Sequence, residues 1–146
     1  MTVRHADASD SKVLAELLEE AATNLGARRG GEALHNAWLG PQPSTEVLDQ
    51  TTGLIGDRPH AFFIDTEGLG VSLAWIDGSV GWVSCYVRVD ARRRGVGPGL
   101  MVAAIGWLDG RCEDVDALAL PGDRDWKSLL EQSGFKARLL TLRRNA

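Results

Sequence analysis

Cysteine is scarce in this sequence: the 146 residues contain two, Cys85 and Cys112. Their separation matches no zinc pattern and demands no disulfide, which points to a reducing, cytoplasmic setting and to no metal site. Lysine is nearly absent. Of the sixteen basic residues, only Lys12, Lys127 and Lys136 are lysines. Twenty acidic residues bring the formal net charge to −4, which excludes a general nucleic-acid binder. No apolar run approaches the ~20 residues that cross a bilayer, so no membrane partner is expected. The start, with Arg4, His5 and Asp7, does not read as a signal peptide. Internal repeats and low-complexity segments are lacking. Phenol chemistry has a single source, Tyr86. What remains is a chain of one domain, 1–146, long enough to bury a core without staples.

The chain is organised around Val87 to Leu100. An alternating apolar run, Val83 to Val89, reads as a strand. It leads into Asp90-Ala91-Arg92-Arg93-Arg94-Gly95-Val96-Gly97-Pro98-Gly99, and helical apolar spacing resumes at Leu100. A strand, a glycine turn and a helix together aim unpaired backbone N–H groups at an anion, with help from the helix dipole. Gly95 and Gly97 let the backbone approach closely, and the arginines supply bidentate donors for phosphate. The turn reads as a surface feature. It is not a P-loop, which needs a Gly-Lys-Ser/Thr ending. Nor is it a dinucleotide fingerprint, whose third glycine would fall on Leu100.

Taken in order, Thr2 to Ala6 reads as a strand, and Asp7 to Asp10 supplies helix-start residues. Val13, Leu14, Leu17, Leu18, Ala21, Ala22 and Leu25 form the apolar stripe of a helix, with Lys12, Glu16, Glu19 and Glu20 largely opposite. Arg28-Arg29-Gly30-Gly31 is a break. Short helices are expected over Glu32–Leu39 and Ser44–Leu48. Strands follow at His60–Asp65, Leu69–Ile76 and Ser79–Val89, with a hairpin at Asp77-Gly78. Pro98 suits a first helical position, and that helix runs to about Cys112. Val115–Leu120 is a strand that must lie parallel to the one before the helix. A last helix starts from Asp123 or Asp125 and ends at Gly134. Phe135–Leu142 is a final strand.

Arg92-x-x-Gly95-x-Gly97 after a central strand resembles the acyl-CoA loop of the GNAT acetyltransferases. Val87-Arg88-Val89 stands where that family often has Val-x-Pro, and Leu129 to Phe135 is similar to its last helix and terminal Gly-Phe. The order β-α-α-β-β-β-α-β-α-β matches as well. The resemblance implies an α/β GNAT fold, with a mixed central sheet in which an antiparallel meander leads to parallel fourth and fifth strands, flanked by helices. It also implies an N-acetyltransferase, moving acetyl from acetyl-CoA to a primary amine of a small-molecule or peptide acceptor by direct attack. Acetyl-CoA would be held by Val87, Val89, Arg92, Arg93, Arg94, Gly95, Val96, Gly97 and Gly99. The thioester would enter between diverging fourth and fifth strands, with backbone donors near Tyr86 and Val87 polarising its carbonyl.

The catalytic groups are less legible. The family's tyrosine acid falls on Leu130, its last-helix asparagine on Asp123, and Pro98 removes one loop N–H. Tyr86 is the candidate acid or substrate contact, against its reading as a half-buried strand aromatic. Cys85 is a small core residue or a nucleophile; His35 and His60 are bases or exposed histidines. Asp65 and Asp77 draw an amine or shape turns. The five tryptophans should be mostly core. Two further readings stay open: a catalytically degenerate acyl-CoA-binding or sensing module, and an interaction domain that keeps the fold without the ligand. A homodimer is compatible with all three.

Overall fold

A computed structural model describes residues 2–26 and 56–144. The expected break at Arg28–Gly31, the two short helices, His35 and Trp38 lie outside the described residues. The elements are β1 (Val3–His5), α1 (Ser11–Gly26), β2 (His60–Asp65), β3 (Gly70–Asp77), β4 (Val80–Val87), α2 (Val96–Leu108), β5 (Asp114–Asp116) and α3 (Arg124–Gln132). Single 3₁₀ turns stand at Ala8–Asp10 and Val89–Ala91. The five strands form one sheet in the order β1-β2-β3-β4-β5. Neighbours are antiparallel except β4 and β5, which are parallel. This is the expected mixed sheet.

Turn chemistry sets the meander. Asp65 is buried and its carboxylate accepts from the N–H groups of Leu69 (2.6 Å), Gly70 (2.8 Å) and Glu67 (3.2 Å). It is therefore a turn organiser rather than an amine contact. The β3–β4 hairpin closes through Gly78 at φ +63° with Asp77 opposite Val80, as the Asp-Gly signal requires. Asp77 is exposed and pairs with Arg58 at 3.4 Å.

The two sheet faces carry different helices. Ala61, Phe63, Ala74 and Val83 meet Val96, Leu100, Met101, Ala104 and Leu108 of α2, together with Leu130 of α3. Ile64 and Val71 meet Leu14 and Leu17 of α1 on the other face. The first contact is unusually close. A Cβ on Gly70 would lie 2.8 Å from Leu100 Cδ1, and one on Gly81 would lie 2.7 Å from Leu108 Cδ2. Between them the Ser72 hydroxyl donates to the Leu100 carbonyl at 3.0 Å. Small residues under α2 thus let the helix settle onto the sheet, as dense interior packing demands.

Several sequence expectations need correction. Pro98 is the third residue of α2, not the first, because Gly95 takes the N-cap in the left-handed region at φ +85°. The helix stops at Leu108, and Gly110 at φ +75° turns the chain. The fifth strand is three residues long, because its pairing with β4 ends at Trp82. Beyond it the Leu118 carbonyl accepts from the Trp126 indole at 2.7 Å instead of from a strand. Phe135–Leu142 forms no strand: Leu139, Leu140 and Leu142 are exposed. Trp75, Trp82, Trp107 and Trp126 are half-buried rather than core; large indoles are seldom fully enclosed. Trp75 and Trp82 stack across strands with centroids 6.3 Å apart.

The junction of β1 and α1 is electrostatic. Both terminal guanidinium nitrogens of Arg4, Nη1 and Nη2, donate to Asp10 at 2.8 Å, and the Asp7 N–H donates to the same carboxylate at 2.8 Å. The Arg4 hydrogen bonds first, and the Asp7 N–H second, lower the Asp10 pKa from 3.8 to about 2. Its folded value lies below the unfolded one. The stabilisation is therefore complete above about pH 4 and lost as pH falls towards 2. Asp10→Asn should flatten the acid limb of stability in that window, read as urea midpoints from pH 5 to 2. An unchanged acid limb would show that the pair does not couple to folding.

Candidate functional site

The site begins at the open edge of β4. The Arg88 N–H donates to the Leu69 carbonyl of the neighbouring strand segment at 2.9 Å. The Val87 carbonyl, on the opposite side of that peptide, therefore faces away from β3, and Cys85 repeats the orientation two residues earlier. β5 pairs only with Val80, Gly81 and Trp82. From Val83 to Val87, β4 has no strand on that side among the described residues. A wedge opens there, lined by main-chain donors and acceptors.

The loop after β4 closes the end of this wedge. Ala91 is buried and anchors it. Arg93 takes φ 64° and Gly95 φ 85°; the second is a conformation that favours glycine. A Cβ on Gly95 would meet nothing within 4 Å, so its surroundings are open. α2 then starts at Val96. The Val96 and Gly97 N–H groups precede any intrahelical acceptor, and Pro98 has no N–H. The Gly99 N–H reaches the Gly95 carbonyl only at 3.4 Å. This loop has the backbone form of an anion cradle with a positive helix end behind it.

Gly97 differs from the surface turn expected. It is buried, and a Cβ there would lie 3.0 Å from Leu129 Cδ2 of α3 and 3.7 Å from Val87 Cγ2. Its smallness lets α3 seat against the start of α2. Gly99 is half-buried, while Arg93, Arg94 and Val89 are exposed around the cradle.

Arg92 turns inwards. Its Nε donates to the Val87 carbonyl at 3.0 Å and its Nη1 to Asp125 at 3.3 Å. Its guanidinium carbon lies 5.8 Å from the centroid of the Tyr86 ring, within cation–π reach. The guanidinium thus spans from β4 to α3 across the wedge.

Tyr86 projects to the α1 face. Its hydroxyl donates to Glu20 at 3.4 Å and accepts from Asn24 Nδ2 at 3.2 Å. Arg88 lies 3.1 Å from Glu20 and 3.6 Å from Glu16, though its Nε is out of line for a hydrogen bond. Burial first, then the Glu20 charge, raise the Tyr86 pKa, which keeps it a neutral phenol at pH 7. An open pocket of about 440 Å³ adjoins this network, lined by Glu16, Glu19, Glu20, Thr23 and Asn24. On the opposite sheet face, burial pushes the Cys85 thiol up to about 12, only partly opposed by Arg92. That thiol is no nucleophile at neutral pH. His60 is exposed, with Nδ1 3.1 Å from the Arg58 carbonyl. Leu130 is buried in the α2 core, 7% exposed, where a tyrosine would overpack.

Sequence reasoning missed Glu16, Glu20 and Asn24 as partners of Tyr86 and Arg88. Their four-residue spacing on α1 was visible as one polar stripe. Only the fold, however, brings that stripe to β4. Asp123 and Asp125 are the two caps the sequence offers for α3. Asp123 takes that role, accepting from the Trp126 N–H at 3.3 Å, and Asp125 is left to meet Arg92.

A sheet splayed beyond its fourth strand, with a glycine loop and helix at the splay, defines a class of fold. Solved structures share it along the whole chain. A transcriptional regulator from Bacillus halodurans superposes with a TM-score of 0.69 at 18% identity, covering 99% of both chains. The aminoglycoside N-acetyltransferase AAC(6')-Iy, in complex with CoA, gives 0.61 at 17% identity over 99% of this chain and 100% of that one. A Trypanosoma brucei acetyltransferase gives 0.61 at 16% identity over 99% of both. No family model matches the chain, and no curated protein matches it significantly. The chain has the GNAT fold, and its resemblance to the GNAT acetyltransferases holds at that level.

The Gly97 contact is testable. Gly97→Val should lower stability by about 1–3 kcal/mol through overpacking against Leu129, read as a lowered urea midpoint. The paired change Gly97→Val with Leu129→Ala should recover part of the loss. An unchanged midpoint in the single variant would mean that α3 does not seat on Gly97.

Proposed function

We propose that the protein is an acyl-CoA-dependent N-acetyltransferase of the cytoplasm. The observation that carries this reading is a coincidence of place: the unpaired edge of β4 ends where the glycine loop opens the N-terminus of α2. The residues fit a CoA thioester. The Gly95, Val96 and Gly97 amides would receive the pyrophosphate, with Arg93 and Arg94 able to swing onto it and Gly99 in the same turn. The pantetheine amides would pair along β4 at Val87, passing Val89. Arg92 would either share the Val87 carbonyl with that arm or exchange it, and Asp125, for phosphate.

Chemistry then follows from the wedge. The neutral amine attacks the thioester carbonyl, forming the C–N bond. Edge N–H groups stabilise the oxyanion, and its collapse breaks the C–S bond and releases the thiolate, while the proton left on the new amide nitrogen is lost to a base or water and one is returned to sulfur. The acceptor must first lose an ammonium proton, and Glu16, Glu19 and Glu20 beside Tyr86 supply a negative field that suits such a cation. Tyr86 is the one phenol available to return a proton to sulfur. Its raised pKa makes it a weaker acid than an unperturbed tyrosine.

Transfer of labelled acetyl from acetyl-CoA to a panel of primary amines tests the reaction, and calorimetry with CoA tests binding separately. Arg92→Ala with Arg93→Ala should weaken CoA by about 1–3 kcal/mol if they bind phosphate, and wild-type affinity should fall as salt rises. A salt-independent affinity that tolerates both changes would reduce them to surface charges. Tyr86→Phe should lower kcat at least about tenfold with little change in CoA affinity if the phenol is the acid. A silent Tyr86→Phe would remove it from the mechanism.

A second reading has its own observation. Leu130, at the family's acid position, is part of the core. A chain without that phenol is suited to bind or sense acyl-CoA without turning it over. CoA binding with no turnover across the amine panel would select this reading.

A further inference from the structure

We infer that Glu20 of α1 is the base for the acceptor's ammonium proton and that it forms a two-member proton relay with Tyr86. The inference rests on the acyl-transfer reading above. β4, Val80–Val87, would carry the thioester and has no carboxylate and no histidine. Its two ionisable side chains point to opposite faces, and burial pushes the Cys85 thiol up to about 12. On the α1 face the strand offers Tyr86 alone, so the base comes from the helix opposite. Glu16, Glu19 and Glu20 line the pocket there. Glu16 and Glu19 are exposed; Glu20 is half-buried and is the one that meets the phenol. Asn24 fixes the direction of that contact. Its Nδ2 donates to the Glu20 main-chain carbonyl at 2.9 Å and to the Tyr86 oxygen at 3.2 Å. With that lone pair occupied, the phenol hydrogen points to Glu20 Oε1 at 3.4 Å. The contact is long, as catalytic hydrogen bonds often are before substrate tightens them. Glu20 Oε2 lies 3.1 Å from Arg88 Nε, whose hydrogen is out of line. Charge therefore holds that oxygen without using the lone pair that would take a proton.

The relay closes its own cycle. An ammonium proton passes to Glu20 Oε2, and the freed amine lone pair forms the C–N bond. The C–S bond breaks, and sulfur keeps the electron pair and takes the phenol proton. The phenolate then takes the proton held by Glu20 through the hydrogen bond they share. The second nitrogen proton leaves to water. One proton has crossed from nitrogen to sulfur, one has gone to solvent, and both side chains are as they began. The first transfer also assists the next. Burial first, then the Glu20 charge, raise the Tyr86 pKa, while Arg92 over the ring and Arg88 beside Glu20 lower it. Glu16 adds a further carboxylate on the other side of Arg88. Once protonated, Glu20 no longer carries its charge. The phenol is then a stronger acid at the moment sulfur needs a proton.

Because Tyr86 is the single tyrosine of the chain, the coupling can be read without turnover. Ultraviolet titration of the phenol should give a lower midpoint in Glu20→Gln than in wild type. Tyr86→Phe should show no such transition. An unmoved midpoint in Glu20→Gln would overturn the relay. Transfer of acetyl from acetyl-CoA to propylamine and to methoxyamine tests the base. Propylamine is protonated at pH 7 and methoxyamine is already neutral, so only the first needs a base before attack. Glu20→Gln should lower kcat/KM for propylamine by about 10²-fold or more, and that for methoxyamine far less. Equal losses with both amines, or no loss with either, would overturn the role of Glu20 and leave acyl transfer standing. A wild type that binds CoA and acetylates neither amine, nor any amine of the wider panel, would overturn acyl transfer and the relay with it.

Discussion

The close seat of α2 on β3 and β4 determines where everything else in the site can be. At both ends of the contact a glycine stands where any side chain would collide, Gly70 beneath Leu100 and Gly81 beneath Leu108. Ser72 ties the Leu100 carbonyl between them. A helix held this tightly cannot slide along the sheet, because interiors have little compressibility. Its first turn is therefore fixed beside the last residues of β4. Gly97 extends the same logic to α3, whose Leu129 fills the space a Cβ would take. Three elements thus meet around one backbone opening, and smallness at four positions brings them there.

Electrostatics then acts on a frame already set by packing. The wedge exposes main-chain polar groups that would be costly to bury without partners. Arg92 satisfies one, the Val87 carbonyl, and joins it to Asp125 on α3. Its guanidinium is planar and multidentate, so it can face a carbonyl, a carboxylate and the Tyr86 ring together, which a lysine ammonium could not. The α1 face has the opposite sign, with Glu16 and Glu20 held by Arg88. The two sides of β4 therefore present different chemistry through alternate residues of one strand: edge amides and Arg92 at the wedge, carboxylates and a phenol towards α1.

How much of this was legible depended on the range of the interaction that decides it. β2 was readable to the residue at both ends, and the Asp77-Gly78 turn was readable because a two-residue hairpin signals itself locally. The loop at Gly95 was visible for the same reason: positive φ leaves a mark in composition. The true start of α2 was not, because Pro98 is acceptable anywhere in a first turn. The length of β5 was not, because it depends on where two strands diverge, and nothing in Val115–Leu120 encodes the direction of β4. The segment after Gly134 has strand propensity without a strand partner, and propensity alone cannot supply one. Within the site, Tyr86 was found as the only tyrosine. Glu20 and Asn24, which hold its hydroxyl, were hidden among solvent-facing residues of a distant helix.

The same division of range bears on why the backbone of this site is easier to assign than its acid and base. Holding a thioester and a diphosphate, as proposed, would call mostly on main-chain N–H groups, which depend on the backbone more than on particular side chains. Protonating a thiolate or deprotonating an ammonium calls on particular side chains, and those vary freely on a shared fold. Leu130 illustrates the point: its place on α3 is kept by the fold, yet the side chain has gone into the core beside α2. A tyrosine at the same backbone position would have to find a different rotamer, pointing out of the core, to serve as an acid. Under the proposed acetyl transfer, with that position apolar, a proton would have to come from elsewhere in the wedge or from water. Among the described residues, the side chains near β4 with suitable chemistry are the phenol of Tyr86 and the carboxylates that face it from α1.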